Sequence, residues 1–369
     1  MNKQIISMIF LMVACFGGCL MFLSCDRSLL MDNKPGITIR LQVPKPLEIT
    51  TKASELDGIT ISNVWVLQYN AENNALLAAE MFEGNAIGSA SQGVLEVSTS
   101  GFSEVESKFY VIANGGSDFI SSAEKTTITE VALSAKTKAI VQGTTSQPTF
   151  LTSKPVKMTV ESGGKVVVVA PLDRAFARVN LEWAKTNMNG DVKIRKVEVF
   201  SLPKNMATYT RGGGELGTNY PVLSSDNIYY TAKAIVDLDA STYPGGWGVG
   251  EKQTFYMAEN LRGLGDGTTF AEKNKTGKGP GANGSLEGCT YVLLSGEYTY
   301  PEATAPIGVQ YKIYLGGNLI NDYNIQRGYS YDLKVNITGA NSADVRVTIT
   351  NGNVAVFDDV QSVTNEIEF

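Results

Sequence analysis

Three short groups of residues along the chain could together support acyl transfer by a serine nucleophile. The sequence contains Ser122 with Lys125 close behind it, then Ser-Asp-Asn at residues 225–227, and then Lys-Thr-Gly at residues 275–277. In that chemistry the serine attacks a carbonyl carbon, the nearby lysine handles the serine proton, and the Lys-Thr-Gly segment binds the substrate carboxylate. No histidine takes part, which matters because the chain contains none.

The order of these groups matches the three motifs of penicillin-recognising enzymes, so a serine hydrolase is one hypothesis. Such enzymes need a long apolar helix after the serine and an inner strand carrying Lys-Thr-Gly. No such helix follows Ser122, and residues 275–277 lie within the glycine-rich run Asn-Lys-Thr-Gly-Lys-Gly-Pro-Gly. Because both contexts are wrong, and because short patterns recur by chance, we expect no catalytic residues and no enzyme.

Composition argues against other functional classes. The absence of histidine removes histidine-based triads and histidine-ligated zinc. The net charge of −6, without a long basic run, is the wrong sign for a binder of phosphate backbones. Asp237 and Asp239 lack the glycine and distal glutamate of a calcium loop. We therefore expect no metal, no cofactor and no nucleic-acid partner.

The N-terminus has the pattern of an export signal. Lys3 provides a positive start, residues 5–23 are almost all apolar or small, and polarity rises at Asp26 directly after Cys25. This pattern predicts a lipoprotein signal peptide over residues 1–24. A transmembrane anchor is the alternative, because the apolar run is nearly long enough to span a bilayer.

Cysteine usage fits lipidation better than disulfide formation. Cys15 and Cys19 lie inside the apolar run, whereas Cys25 lies where the polar sequence begins, so Cys25 is the predicted lipidation site. After it only Cys289 remains, which excludes an internal disulfide in the processed chain. Cys289 begins an apolar run, which favours a small buried core residue over a reactive thiol.

The body of the chain reads as all-β, with two tandem β-sandwich domains of transthyretin-like or Greek-key type. Val, Thr and Ile runs alternate with Gly, Asn, Asp and Ser clusters among 37 glycines and 16 tyrosines. We predict an N-terminal domain over 54–170 and a C-terminal domain over 171–369, joined near Pro171. Strands are predicted at 37–43, 64–69, 93–98, 108–113, 156–160, 165–170, 174–183, 192–200, 227–237, 252–257, 290–294, 309–315, 329–337, 345–350 and 354–357.

Two other features accompany these strands. Residues 126–133 are predicted as one short helix. Residues 263–288 are rich in glycine and polar residues, which predicts a long exposed loop without packed secondary structure, either a simple insertion or a binding loop.

Residues 37–43 give the clearest alternation of apolar and polar residues. Ile37, Ile39, Leu41 and Val43 fall on one face of a strand, and this strand follows shortly after the lipidation site. It predicts a half-buried strand at the start of the N-terminal domain.

With these features the chain resembles the fimbrillin-like pilus proteins of Bacteroides-type bacteria. The resemblance covers most of the processed sequence and rests on residues 61–69, residues 109–114, the run Ala-Pro-Leu-Asp-Arg-Ala-Phe-Ala-Arg-Val at 170–179, and residues 311–337. It implies an exported lipoprotein that is processed by a trypsin-like protease. Such proteins assemble when the first strand is removed and a strand of another subunit enters the emptied groove, which repairs unpaired backbone groups and apolar pockets together.

The resemblance also implies site residues. The removable strand is 37–43 within a tether over 25–53, and the cut falls between Lys52 and Ala53. The family cuts after arginine, so the lysine leaves two alternatives open: a cut at Arg40, or no cut, as would suit an anchor or accessory subunit.

A donor strand is predicted at the C-terminus, residues 363–369. Val363, Ile367 and Phe369 share one face by alternation, although Asn365 interrupts that face. An ordinary C-terminal edge strand is the equally weighted alternative.

The function implied is that of a structural pilus subunit at the outer membrane and cell surface that supports adhesion. Its partners would be other pilus subunits, the outer membrane through the lipid anchor, a processing protease, and a host or bacterial surface ligand. The alternative is a surface lipoprotein or pilus tip that binds glycans or proteins without polymerising.

Overall fold

The computed structural model describes residues 36–42, 59–87, 94–99, 105–159, 165–185, 188–208, 229–230, 232–340, 342–351 and 362–365. The strands are β1 Gly36–Gln42, β2 Asn63–Asn70, β3 Leu76–Glu83, β4 Val94–Thr99, β5 Glu106–Ala113, β6 Thr137–Ala139, β7 Leu151–Ser153, β8 Val156–Thr159, β9 Lys165–Arg174, β10 Phe176–Lys185, β11 Asp191–Phe200, β12 Asn205–Ala207, β13 Ala232–Asp237, β14 Gln253–Ala258, β15 Tyr291–Thr299, β16 Ile307–Tyr314, β17 Tyr329–Gly339, β18 Ser342–Asn351 and β19 Ser362–Asn365.

Helices are short. Helix α1 is Glu130–Ala135, helix α2 is Phe270–Lys273, and 3₁₀ turns lie at Gly84–Ala86, Glu124–Thr126 and Ala282–Gly284. Thr129 caps α1 by accepting a hydrogen bond from the backbone N–H of Ala132. No helix among the described residues is long and apolar enough to cross a membrane. The all-β prediction is confirmed.

The first sheet folds over on itself into two layers. Its strand order is β3-β2-β5-β7-β9-β1-β4, with β8 also paired to β5. Leu41 of β1 and Val66 of β2 belong to one buried cluster although their strands are far apart in that order. The two ends of the sheet therefore face each other across a shared apolar core, as in a β-sandwich.

The second half of the chain forms two sheets that pack face to face. One has the order β14-β10-β17-β18-β19, and the other has the order β13-β11-β15-β16. Val179 and Phe255 from the first of these share a buried cluster with Val199 and Leu294 from the second. Burial of this shared cluster is the main driving force that holds the two layers together.

The chain passes from the first sheet to the second pair of sheets at Ala175, between β9 and β10. A boundary of the two predicted domains near Pro171 stays a prediction, since β9 continues through that residue to Arg174.

Contacts across this junction are extensive. Strand β6, from the first half, pairs with β12, from the second. Trp65 shares a buried cluster with Phe176 and Tyr256. The Tyr230 hydroxyl, from the second half, donates a hydrogen bond to the carbonyl oxygen of Ile140, from the first, at 2.9 Å.

Most predicted strands are present within a few residues of their predicted ends, but β3 and the three-residue strands β6, β7 and β12 are missing from the prediction. The longest of these, β3, has the sequence Leu-Leu-Ala-Ala-Glu-Met-Phe-Glu, which is rich in good helix formers. Pairing with β2 over most of its length overrides that local preference. The helix predicted over 126–133 forms instead as a 3₁₀ turn followed by α1. The strand predicted at 354–357 lies outside the described residues.

The prediction for residues 263–288 is only partly confirmed: most of the segment lies outside helices and strands, as predicted, but it is not an open loop. The segment contains α2 and a 3₁₀ turn, and it packs closely on itself. At Gly284, with φ of +69°, an added Cβ would lie 2.2 Å from the carbonyl carbon of Gly277. The glycines therefore serve close backbone packing as well as turning the chain, which composition alone does not distinguish from an open loop.

Candidate functional site

The predicted removable strand, β1, lies between two other strands. It runs parallel to β9 on one side, with Ile39 opposite Val168, and antiparallel to β4 on the other, with Ile39 opposite Val97. Strand β1 is therefore an inner strand, although it comes first in the described chain. Its backbone groups are bonded on both edges, so its departure would expose two rows of unpaired N–H and C=O groups.

Two residues on the apolar face of β1 are fully buried. Ile39 and Leu41 each have 0% exposure and lie in the cluster that also contains Val111, Val168 and Ala170. Of the other predicted residues of this strand, Ile37 occupies the register position opposite Val166, and Val43 lies outside the described residues. Two side chains thus fill deep apolar pockets, which an incoming strand would need to fill again.

The two neighbours of β1 are held differently. Strand β9 is also bonded to β7, through Leu151 opposite Arg174, so it keeps a partner without β1. Strand β4 ends the sheet, and within the described part of the chain β1 is its one strand partner. Loss of β1 would therefore leave β9 in place and free β4 from the hydrogen-bonded sheet.

The predicted cleavage positions differ in their accessibility. Arg40, the alternative position, is half-buried in the middle of β1, opposite Glu96 and Val169. A protease binds its substrate as an extended free segment, so a cut at Arg40 requires β1 to leave first. Lys52 and Ala53 lie outside the described residues, as does the predicted lipidation site Cys25.

The C-terminal segment pairs with its own sheet. Strand β19 lies antiparallel to β18 at one edge, with Val363 opposite Ile349 and Asn365 opposite Val347. Ile367 and Phe369 lie outside the described residues. In this arrangement the segment is an edge strand of its own subunit, so it would have to detach before serving as a donor.

The residues of the hydrolase hypothesis lie in other settings than that chemistry requires. Ser122 precedes a 3₁₀ turn, and the ammonium group of Lys125 lies 5.2 Å from the centroid of the Trp65 ring. Residues 275–277 form a turn after α2 and belong to no strand. The group at 225–227 lies outside the described residues. The described positions thus lack the inner strand on which substrate binding depends.

Among the buried charged residues that sequence reasoning missed is Lys273. Its side chain is fully buried and donates hydrogen bonds to the carbonyl oxygens of Asn318 and Asp322, the latter at 2.8 Å. The ammonium group also lies 5.1 Å from the centroid of the Tyr323 ring. Burial lowers the pKa of Lys273 to about 7, partly opposed by Asp322. Lys273 thus connects residues 263–288 to the loop that contains Asn318 and Asp322.

Cys289 lies in the adjacent cluster with Tyr314 and Tyr323. It is free and fully buried, which confirms the prediction of a core residue. Burial raises the pKa of its thiol to about 11. Among the described residues, no group of three or more Cys, Asp or Glu side chains is placed to hold a metal ion.

Comparisons with known proteins concern the fold. Residues 255–335 match the model of a domain family of unknown function, DUF4906. No curated protein matches the chain.

Several solved structures are similar over most of the chain. A candidate cell adhesion protein from Parabacteroides distasonis is 12% identical with a TM-score of 0.57, and the match covers 88% of this chain and 99% of that one. A second candidate cell adhesion protein from the same organism is 16% identical with a TM-score of 0.53, covering 85% and 98%. The tip fimbrial protein Mfa3 from Porphyromonas gingivalis is 11% identical with a TM-score of 0.51, covering 85% and 99%. The chain thus has the fold of these fimbrial and cell adhesion proteins.

Proposed function

We propose that this protein is a structural subunit of a cell-surface pilus, exported as a lipoprotein and assembled by strand exchange. The observation that carries the proposal is the position of β1. It is a short strand that follows the predicted lipidation site in sequence, it is bonded on both edges, and its buried residues Ile39 and Leu41 fill the core. A fold shared with a fimbrial tip protein supports the same conclusion.

The proposed sequence of events begins at the outer membrane. Lipidation at Cys25 anchors the precursor, and a trypsin-like protease then cuts between Lys52 and Ala53. Strand β1 leaves, and a strand from a second subunit bonds to both β9 and β4. An incoming strand gains backbone hydrogen bonds on both edges as well as apolar burial, which favours a long-lived junction.

The proposed donor is the C-terminal segment 363–369 of another subunit. Its Val363, Ile367 and Phe369 would enter the pockets that the apolar face of β1 occupies before cleavage. The domains would then be 54–170, which accepts the donor, and 171–369, which supplies it. This arrangement gives a head-to-tail chain, because one end of each subunit accepts and the other donates.

Limited trypsin treatment of the purified full chain tests the proposal. Cleavage at Lys52 should yield high-mass species on gel filtration, whereas Lys52→Gln should remain the size of the untreated protein. An excess of the peptide Gly-Ile-Thr-Ile-Arg-Leu-Gln, which is β1 itself, should suppress assembly. The same peptide with aspartate at the positions of Ile39 and Leu41 should not. Cleaved protein that stays monomeric would count against polymerisation and favour a surface lipoprotein that binds other molecules.

A further inference from the structure

The outer face of the five-stranded sheet carries a continuous row of polar residues. Asn180 of β10 lies opposite Thr254 of β14 on one side and Asp332 of β17 on the other. Residues directly opposite each other on neighbouring strands lie on the same face, so the row crosses β14, β10 and β17. At about 4.8 Å per strand, it is about 10 Å long.

The described side chains of this row are fixed by hydrogen bonds. The Thr254 hydroxyl donates to Asn180 Oδ1 at 2.7 Å, and Asn180 Nδ2 donates to Asp332 Oδ1 at 2.6 Å. Asn180 is only 4% exposed, so its amide is held in one orientation by groups on both sides. Such a preformed array binds a ligand without the cost of ordering its own side chains.

A cleft of about 430 Å³ lies over this array. It is lined by Asn180 and Asp332 together with Glu182, Lys252 and Lys334. Glu182 pairs with Lys334 at 3.1 Å, whereas Lys252 has no carboxylate partner in the part of the chain that the structure describes. The lining therefore carries two carboxylates and two ammonium groups, which gives no net charge. This balance disfavours a strongly anionic or cationic ligand.

The hydrogen-bond donors and acceptors that line the cleft are suited to a ligand that carries several hydroxyl groups. Asp332 can only accept hydrogen bonds, Lys252 can only donate them, and the Asn180 amide can do both. A hydroxyl both donates and accepts, so neighbouring hydroxyls can satisfy this mixture of groups without adding charge. We propose that this cleft binds a neutral oligosaccharide that lies along the polar row. The inference is independent of assembly, because it concerns the face of a single uncleaved subunit.

Glycan binding by the uncleaved full chain tests this inference. The probes are maltohexaose, cellohexaose and mannohexaose, with an oligomer of galacturonic acid as the acidic comparison, and isothermal titration measures the affinity. Asp332→Asn keeps the shape of the side chain but removes a charged acceptor, and Lys252→Gln replaces an exposed charged donor with a shorter, neutral one. Asp237→Asn, on β13 in the other sheet, is the matched control.

We expect at least one neutral oligosaccharide to bind more tightly than the acidic oligomer. Asp332→Asn and Lys252→Gln should each weaken that binding at least tenfold, while Asp237→Asn should leave it unchanged. Thermal melting of each variant distinguishes lost binding from lost folding, and Lys252→Gln carries the test if Asp332→Asn unfolds. The inference is overturned by absence of binding to all three neutral probes, by preference for the acidic oligomer, or by equal binding of the control and both cleft variants.

Discussion

Ile39 lies directly opposite Val168 in a parallel pair of strands, and both side chains are completely buried. One belongs to the short strand near the N-terminus, and the other belongs to the strand that ends the first sheet in sequence order. Strand β1 thus completes the core of the first sheet. In sequence, residues 43–58 follow β1 and link it to the rest of that sheet. This is the physical basis for treating β1 as a replaceable part.

The first prediction concerns the contribution of β1 to stability. Ile39→Ala or Leu41→Ala should lower the free energy of unfolding by about 2–5 kcal/mol, because each leaves a cavity in a closely packed core. Val169→Ala, at a position that is 49% exposed on β9, should change it by less than about 0.5 kcal/mol. Urea denaturation of the full chain measures all three. Equal effects at the buried and exposed positions would show that β1 is not seated in the core.

The second prediction concerns the neighbours of β1 after cleavage. When trypsin-cleaved protein is diluted until β1 dissociates, the amides of β4 should exchange with deuterium faster, because β1 is the strand partner that the structure shows for β4. Amides of β5 should keep their protection, since β5 remains bonded to β2, β7 and β8. Unchanged protection of β4 would mean that another segment holds it.

The third prediction concerns a buried ion pair within the second half of the chain. Arg327 pairs with Glu259 at 3.3 Å, with side-chain exposures of 8% and 5%. Arg327→Met should destabilise the protein by about 3–5 kcal/mol, because the buried carboxylate loses its cationic partner and two carbonyl groups lose the guanidinium donor. The more exposed pair of Lys196 and Glu198 is the control, and Lys196→Met should destabilise the protein much less. Similar losses in the two variants would show that burial of the Arg327–Glu259 pair adds little to stability.

The fourth prediction concerns pH. The pKa of Lys273 is lowered from 10.5 to about 7 by burial, so between these values the unfolded chain binds more protons than the folded one. Stability should therefore rise with pH between about 7 and 10.5 and lose this contribution as pH falls towards 7. Lys273→Met should remove the difference, which unfolding curves of the two proteins across this range would reveal. If the free energies of unfolding of the two proteins change in parallel with pH, Lys273 stays protonated beside the carbonyl oxygens that it contacts.

The sequence predicts the strands well where apolar residues alternate, as at Ile39 and Leu41, because that pattern reflects one buried face. It does not reveal that β1 pairs in parallel with β9, since register between distant segments depends on tertiary packing. Lys273 was missed for a related reason. Its partners are backbone carbonyls of residues about fifty positions away, and carbonyls leave no signal in side-chain composition.

The N-terminus of subunits taken from assembled filaments tests the central claim most directly. Filaments sheared from the cell surface, separated from membranes and sequenced from their N-termini should begin at Ala53 and contain no β1. Filament subunits that begin at Cys25 and retain Gly36–Gln42 would contradict the account, because the groove between β9 and β4 would then never have been emptied.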